Sequence, residues 1–145
     1  MKRFFWLVMV LAGMLVLSAC AFAFQTSQES RMWMTVNEQR FAITLADNST
    51  ARAFAARLPL TLNMEELNGN EKHARLPVPL PVDASRPGVI NSGDLMLYGA
   101  DTLVVFYSTF PSKYAYTRIG RVKETAGLAR TLGPGNARVT FSTQH

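Results

Sequence analysis

Gly93-Asp94-Leu95-Met96-Leu97-Tyr98-Gly99-Ala100-Asp101-Thr102-Leu103-Val104-Val105-Phe106-Tyr107-Ser108-Thr109-Phe110-Pro111-Ser112-Lys113-Tyr114-Ala115-Tyr116-Thr117-Arg118-Ile119-Gly120 carries the strongest fold signal in the chain. It is the richest β-forming run in the chain, and it holds Tyr98, Tyr107, Tyr114 and Tyr116, all the tyrosines there are. The turn Gly99-Ala100-Asp101 joins Leu95–Tyr98 to Leu103–Tyr107 as a hairpin. Tyr116–Gly120 follows as a third strand. A meander of three such strands is expected to form the central wall of a closed sheet. Gly93 supplies a permissive backbone for the turn before the first strand, and Asp94 caps it.

Working outward, the other segments carry the same short-strand signature. Trp33 and Thr35, the turn Asn37-Glu38-Gln39, and Arg40–Leu45 read as an opening hairpin, with Phe41, Ile43 and Leu45 on one face. Asp47-Asn48-Ser49-Thr50 is a helix start, with Asn48 or Ser49 as N-cap. Ala51–Leu58 reads as a helix with Ala51, Phe54, Ala55 and Leu58 on one face, stopped by Pro59. Leu60–Met64 alternates as a strand, Asn68-Gly69-Asn70 is a turn, and Glu71–Leu76 is a short strand. Pro77, Pro79, Pro81 and Pro87 keep the next segment out of any sheet and make it a long irregular crossing. Thr125–Leu132 is a weak helix closed by Gly133-Pro134-Gly135, and Ala137–Ser142 is the last strand, with Val139 and Phe141 inward. The expectation is a mainly β fold: a closed barrel of about eight strands that hides its own edges, with two short helices.

The N-terminal residues have a different composition. Lys2-Arg3 precedes an apolar run from Phe4 to Leu17, and small residues then lead to Cys20. This is the layout of a secretory signal peptide. The ending Leu17-Ser18-Ala19-Cys20 resembles a bacterial lipobox, in which the thiol of the first mature residue takes a diacylglycerol as a thioether. Acyl chains then hold the protein to a membrane, at about 0.8 kcal/mol per buried methylene. The reading divides the chain into a signal peptide (1–19), a tether lipidated at Cys20 (20–31) and a folded domain (32–145). Two other readings stay open: cleavage elsewhere, or an uncleaved helix from Phe4 to Phe24 that anchors the domain in the inner membrane. All export the domain. Ala21 after the cysteine favours the outer membrane in bacteria that sort by this position. Cys20 is the only cysteine, so the domain has no internal disulfide and its core must suffice.

The chain has a net charge of +5. Its cations are spread singly, without the clustered patch or module that nucleic-acid binding needs, so that partner is excluded. His73 is the one histidine of the strand-forming region; without a second ligand at a strand or helix offset, no metal is expected. The chain has no nucleophile elbow, phosphate loop or paired-carboxylate signature, so neither a cofactor nor a catalytic residue is assigned. Arg118 between Tyr116 and Gly120 admits two readings. It is a grip for a carbonyl or carboxylate beside aromatic rings, or an outward strand arginine with a packed stem. Arg118, Tyr98 and Tyr116 form the candidate ligand groove. Arg52 is expected in a structural ion pair, with Glu71 or Asp94 as the acid.

Four blocks in order resemble the small bacterial cyclophilin-like family. They are Phe41-Ala42-Ile43-Thr44-Leu45-Ala46-Asp47-Asn48-Ser49-Thr50-Ala51-Arg52-Ala53-Phe54; Leu60-Thr61-Leu62; Gly93-Asp94-Leu95 with Tyr98; and Phe106-Tyr107 with Tyr116-Thr117-Arg118-Ile119-Gly120. The resemblance spans about Met32 to Ser142 and implies a cyclophilin-type β-barrel with a helix over each open end. It assigns no reaction. Cyclophilins that isomerise proline carry a strand arginine, a Phe-Met-x-Gln-Gly-Gly block, and later a tryptophan and a histidine around the proline pocket. This chain has no such block; Trp33 lies in the first strand, Trp6 in the leader, and His73 and His145 stand in other contexts. The expected function is therefore an exported, membrane-anchored lipoprotein of the cell envelope, facing the periplasm or exterior, that binds a ligand or a peptide or protein partner. An extracytoplasmic prolyl isomerase or folding helper is the alternative, and a purely structural envelope component is the third.

Overall fold

A computed structural model describes residues 31–143; the leader, Cys20 and the tether up to residue 30 lie outside the described residues. Eight of its strands close into a barrel: β1 (Arg31–Val36), β2 (Gln39–Leu45), β3 (Leu60–Leu67), β4 (Glu71–Arg75), β6 (Asp94–Tyr98), β7 (Thr102–Phe106), β9 (Thr117–Val122) and β10 (Ala137–Thr143). The order round the ring is β1-β10-β3-β4-β7-β6-β9-β2, and every pairing is antiparallel. A separate two-stranded ribbon pairs β5 (Val89–Ile90) with β8 (Phe110–Pro111). The helices are α1 (Ser49–Ala55) and α2 (Leu128–Leu132). The expected mainly β closed barrel with two short helices is what the chain forms.

Turn chemistry sets the local geometry. Asn37 and Glu38 both take positive φ (47° and 67°) in a two-residue loop, the backbone that matches the twist of a tight hairpin. Asn68 and Gly69 also take positive φ (56° and 68°), in the three-residue loop between β3 and β4, which lets β3 run on to Leu67, past the Met64 expected from alternation. Asn48 caps α1: its side-chain oxygen accepts from Ala51 N–H at 2.8 Å, and its amide donates to Arg118 C=O at 2.8 Å, tying the helix to β9. The second helix is shorter than expected because Gly127 sits in the left-handed region (φ 77°), so helical backbone begins only at Leu128.

The central wall departs from the expected meander. β9 pairs with β6, not with β7, so β6 is the middle strand. Both edges of β7 are already taken, one by β6 and the other by β4. The chain therefore crosses back through β8 to reach the free edge of β6. A register shift at Leu95/Met96 leaves Ile119 as an extra residue on β9.

Two apolar clusters follow from the alternation on this wall. Leu95, Leu97, Leu103 and Val105 face the barrel interior with Met32, Met34, Val36, Phe41, Ile43, Val139 and Phe141. Phe54 of α1 packs into that core, edge-on to Phe141 with centroids 5.5 Å apart. Leu128 and Leu132 of α2 join the same core. Met96, Val104 and Phe106 point the other way and build a second, outer cluster with Ile90, Tyr116 and Phe110. The proline-rich crossing is strapped down by polar bonds where it cannot join the sheet. Arg57 donates to the carbonyls of Val78 (2.7 Å) and Pro79 (2.8 Å), and Thr50 Oγ1 donates to Pro81 C=O at 2.6 Å. Among the described residues no helix is long and apolar enough to cross a membrane.

Candidate functional site

Alternation along β4 puts Glu71 and His73 on the outside of the barrel and Lys72 and Ala74 inside. The outer neighbours across the ladder are Phe106 for Glu71 and Val104 for His73. Next to them, Tyr98 ends β6, Tyr116 leads into β9, and Tyr114 stands on the connection after β8. These residues enclose an open groove of about 320 Å³, lined by Leu67, Asn68, Glu71, His73, Tyr98, Thr102, Val104, Tyr114 and Tyr116.

The three tyrosines are in mutual contact through Tyr98. Its ring centroid is 6.2 Å from Tyr114 at 87° and 5.7 Å from Tyr116 at 55°. Tyr116 is the anchor: it is buried, stacks edge-on to Phe106 at 5.5 Å, and exchanges both backbone hydrogen bonds with Ser85 at 2.9 Å. Tyr98 and Tyr114 remain 48% and 63% exposed, so aromatic surface is presented to solvent at the groove mouth. Burial pushes the Tyr116 hydroxyl above its ordinary pKa, opposed by the Ser112 hydrogen bond and reinforced by the charge of Glu71.

Glu71 is the acid of the groove. It is partly buried, and no lysine or arginine lines the groove beside it. Burial holds its carboxyl above the ordinary range; the charge of His73 opposes this, and that of Glu66 adds to it. His73 leans the other way, with Nε2 3.9 Å from Glu65 Oε2.

Of the residues singled out from the sequence, the structure brings Tyr98 and Tyr116 together and leaves Arg118 out. Arg118 lines a different concavity of about 410 Å³ with Thr44, Gly120, Arg121 and Lys123. Its guanidinium lies 3.9 Å from Asp94, whose side chain is 0% exposed and accepts from Arg121 Nε at 3.0 Å and from Asn91 N–H at 2.8 Å. A buried carboxylate needs compensating charge, and that draws the arginine away from the tyrosines. Asp94 also caps the turn at Gly93 (φ 93°), as expected. The partner of Arg52 is neither Glu71 nor Asp94 but Asp47, at 2.9 Å. The pair is five residues apart at the start of α1 and stands in solvent, where it contributes little.

Tyr114, Glu71 and His73 were missed as groove residues. The alternation of Glu71–Arg75 carried the signal, since it places Glu71 and His73 on one face. Reading it required accepting Lys72 as the inward residue, against hydrophobic patterning. Lys72 is 0% exposed at the α2 end of the barrel, and its ammonium donates to Glu66 Oε1 (3.0 Å), Gly133 C=O (2.6 Å) and Gly135 C=O (2.6 Å). The Tyr107 hydroxyl donates to the same Glu66 oxygen, and Gly69 N–H donates to the other at 2.9 Å. Burial alone would raise the Glu66 carboxyl, but these donors together hold it below the ordinary range.

A family model described as the cyclophilin-like family matches residues 34–142. The chain belongs to the cyclophilin-like family. Among solved structures, this cyclophilin-like domain is similar to the solution structure of the hypothetical protein AF2241 from Archaeoglobus fulgidus. The TM-score is 0.59 at 19% identity, over 80% of this chain and 95% of that one. That likeness is one of fold. No curated protein matches the chain. Within the cyclophilin-like domain, Trp33 lies on β1, which stands opposite β7 in the ring order, and carries the Arg40 guanidinium 4.2 Å above its ring. It is thus remote from the tyrosine groove.

Proposed function

We propose that this cyclophilin-like domain is a binding module held at the membrane of the cell envelope, and that its ligand or partner sits in the groove of Tyr98, Tyr114 and Tyr116. The observation that carries the reading is the convergence of three tyrosines on one open groove, two of them substantially exposed. Rigid aromatic surface of this kind binds ligands at low conformational cost. The membrane part of the proposal rests on the Leu17-Ser18-Ala19-Cys20 sequence that follows the apolar leader, with the lipid on Cys20.

Binding is tested with 3-fluorotyrosine-labelled protein and a library of fragments and short peptides, read by fluorine NMR. Hits are expected to move the resonances of Tyr98, Tyr114 and Tyr116 and to leave Tyr107, held by Glu66 at the α2 end, in place. Hits that map elsewhere and are indifferent to Tyr98→Ala refute the groove. A proline-peptide assay is expected to run at the uncatalysed rate; acceleration that Tyr98→Ala removes would favour the isomerase instead. For the anchor, fatty-acid label is expected on the parent and absent from Cys20→Ser. Label retained in the serine variant rejects the lipid.

A further inference from the structure

We propose that the groove takes an organic cation, an ammonium or guanidinium group seated against the tyrosine rings with Glu71 as its counter-charge. The inference rests on the tyrosine groove being the binding site, and names the chemistry of its occupant.

Three observations point the same way. The first is the state of Glu71. The chain's other enclosed acids have cations supplied by the chain itself: Asp94 has Arg121 at 3.0 Å, and Glu66 has Lys72 at 3.0 Å. Glu71 is partly buried, and no lysine or arginine lines its groove; the imidazole of His73, two residues along the same face, is the cationic group that acts on it. A desolvated carboxylate is costly, and a bound cation offsets that cost. The upward pull of burial on its carboxyl is in keeping with this.

The second observation is the aromatic wall. The face of a tyrosine ring is negative, so rings gathered around a site attract a cation, most strongly where water is thinned out. Tyr98 meets Tyr114 at 87° and Tyr116 at 55°, so the three rings are not stacked on one another. Glu71 acts on the same space, since its charge reaches the Tyr116 hydroxyl.

The third is the distribution of charge. The chain as a whole carries +5, yet no lysine or arginine lines the tyrosine groove. Arg118, Arg121 and Lys123 instead gather at the separate concavity on the other side of β9. The imidazole facing the groove with Glu71 is that of His73, whose Nε2 lies 3.9 Å from Glu65 Oε2. An anionic ligand would meet the Glu71 carboxylate. A neutral one would bury it further without compensation.

The experiment titrates the full chain, in dodecyl maltoside and labelled with 3-fluorotyrosine, at constant ionic strength. The probes are choline, its neutral isostere 3,3-dimethyl-1-butanol, and N-acetyl-lysine methylamide. Choline or the lysine derivative is expected to shift Tyr98, Tyr114 and Tyr116 but not Tyr107, at least about tenfold more tightly than the isostere. Which of the two binds better separates a quaternary amine from a basic side chain as the source. Glu71→Gln, which keeps the shape of the side chain, is expected to weaken cation binding about tenfold. Tyr114→Leu, at an exposed position, supplies a second variant with the same direction. Equal binding of cation and isostere, or no effect of Glu71→Gln, overturns the cation while leaving the groove intact. Silence of all three probes overturns the cation as well, and a blank fragment screen beside it would remove the groove itself.

Discussion

Replacing Lys72 by methionine tests whether the buried network at the α2 end holds the barrel closed. The substitution keeps an unbranched side chain and removes only the ammonium. That ammonium has three N–H donors, and the structure matches each with an acceptor: Glu66 Oε1 at 3.0 Å, Gly133 C=O at 2.6 Å and Gly135 C=O at 2.6 Å. Methionine leaves two carbonyls unmet and strands Glu66 with the Tyr107 hydroxyl and Gly69 N–H. Removing one member of a buried pair costs about 3–5 kcal/mol. The Glu66 side chain is 21% exposed and can recover some hydration, so the lower end applies, about 3 kcal/mol. For a domain of this size that is a fall in Tm of roughly 12 °C. Thermal and urea unfolding of the Cys20→Ser protein, followed by circular dichroism, measures both. The double variant Lys72→Met/Glu66→Gln removes the stranded charge as well, so it should lose less than the sum of the two single variants. If Lys72→Met stays within about 1 kcal/mol of the parent, or if the two substitutions add without coupling, the network is not what holds β4 to the 133–135 loop.

Other outcomes follow from the same geometry. Burial, then the hydrogen bond to Glu66, pushes the Tyr107 hydroxyl up from 10.0 to about 12, so the folded state keeps a proton that the unfolded chain releases. That contribution is complete below about pH 10 and is lost as pH rises towards 12, a downward slope that Tyr107→Phe should lack in alkaline unfolding curves. Glu71 has its pKa raised by burial, so its ionised form opposes folding: stability falls as pH rises above 4.5 through the folded value. Glu71→Gln should therefore be more stable than the parent at pH 7 in urea melts, even as cation binding weakens; a loss of stability would contradict the burial argument. At Gly120 a Cβ would lie 2.6 Å from Thr44 C=O and 2.8 Å from Ile43 Cγ2, both on β2. Gly120→Ala should cost more than about 2 kcal/mol by forcing β9 away from β2, visible as lost hydrogen-exchange protection along Thr44 and Leu45.

Much of the barrel could be read from the chain because its causes are local. Alternation in Phe41-Ala42-Ile43 and in Val139-Thr140-Phe141 depends only on the two faces of a strand. The left-handed turns at Asn37-Glu38 and Asn68-Gly69, and the cap at Asn48, depend on a few adjacent residues. The family blocks added the closed barrel with its two short helices. The candidate groove was half legible: Tyr98 and Tyr116 share it, whereas Glu71 and Tyr114 came into it only through strand order and the return crossing.

Backbone preferences acting within a turn or two account for the eight barrel strands, most of their inward faces and the turn positions, and they narrow the helix cap to Asn48 or Ser49. Which elements meet depends on long-range packing. It placed β9 against β6 because both edges of β7 were occupied. It turned Lys72 inward because carbonyls 61 and 63 residues away were there to receive it. It sent Arg118 to Asp94 because a fully buried carboxylate needs a cation, and it left Glu71 among the tyrosines with no lysine or arginine in the groove. Hydrogen-bond edges and buried charges are satisfied by partners distant in the chain, so no window of sequence contains the choice.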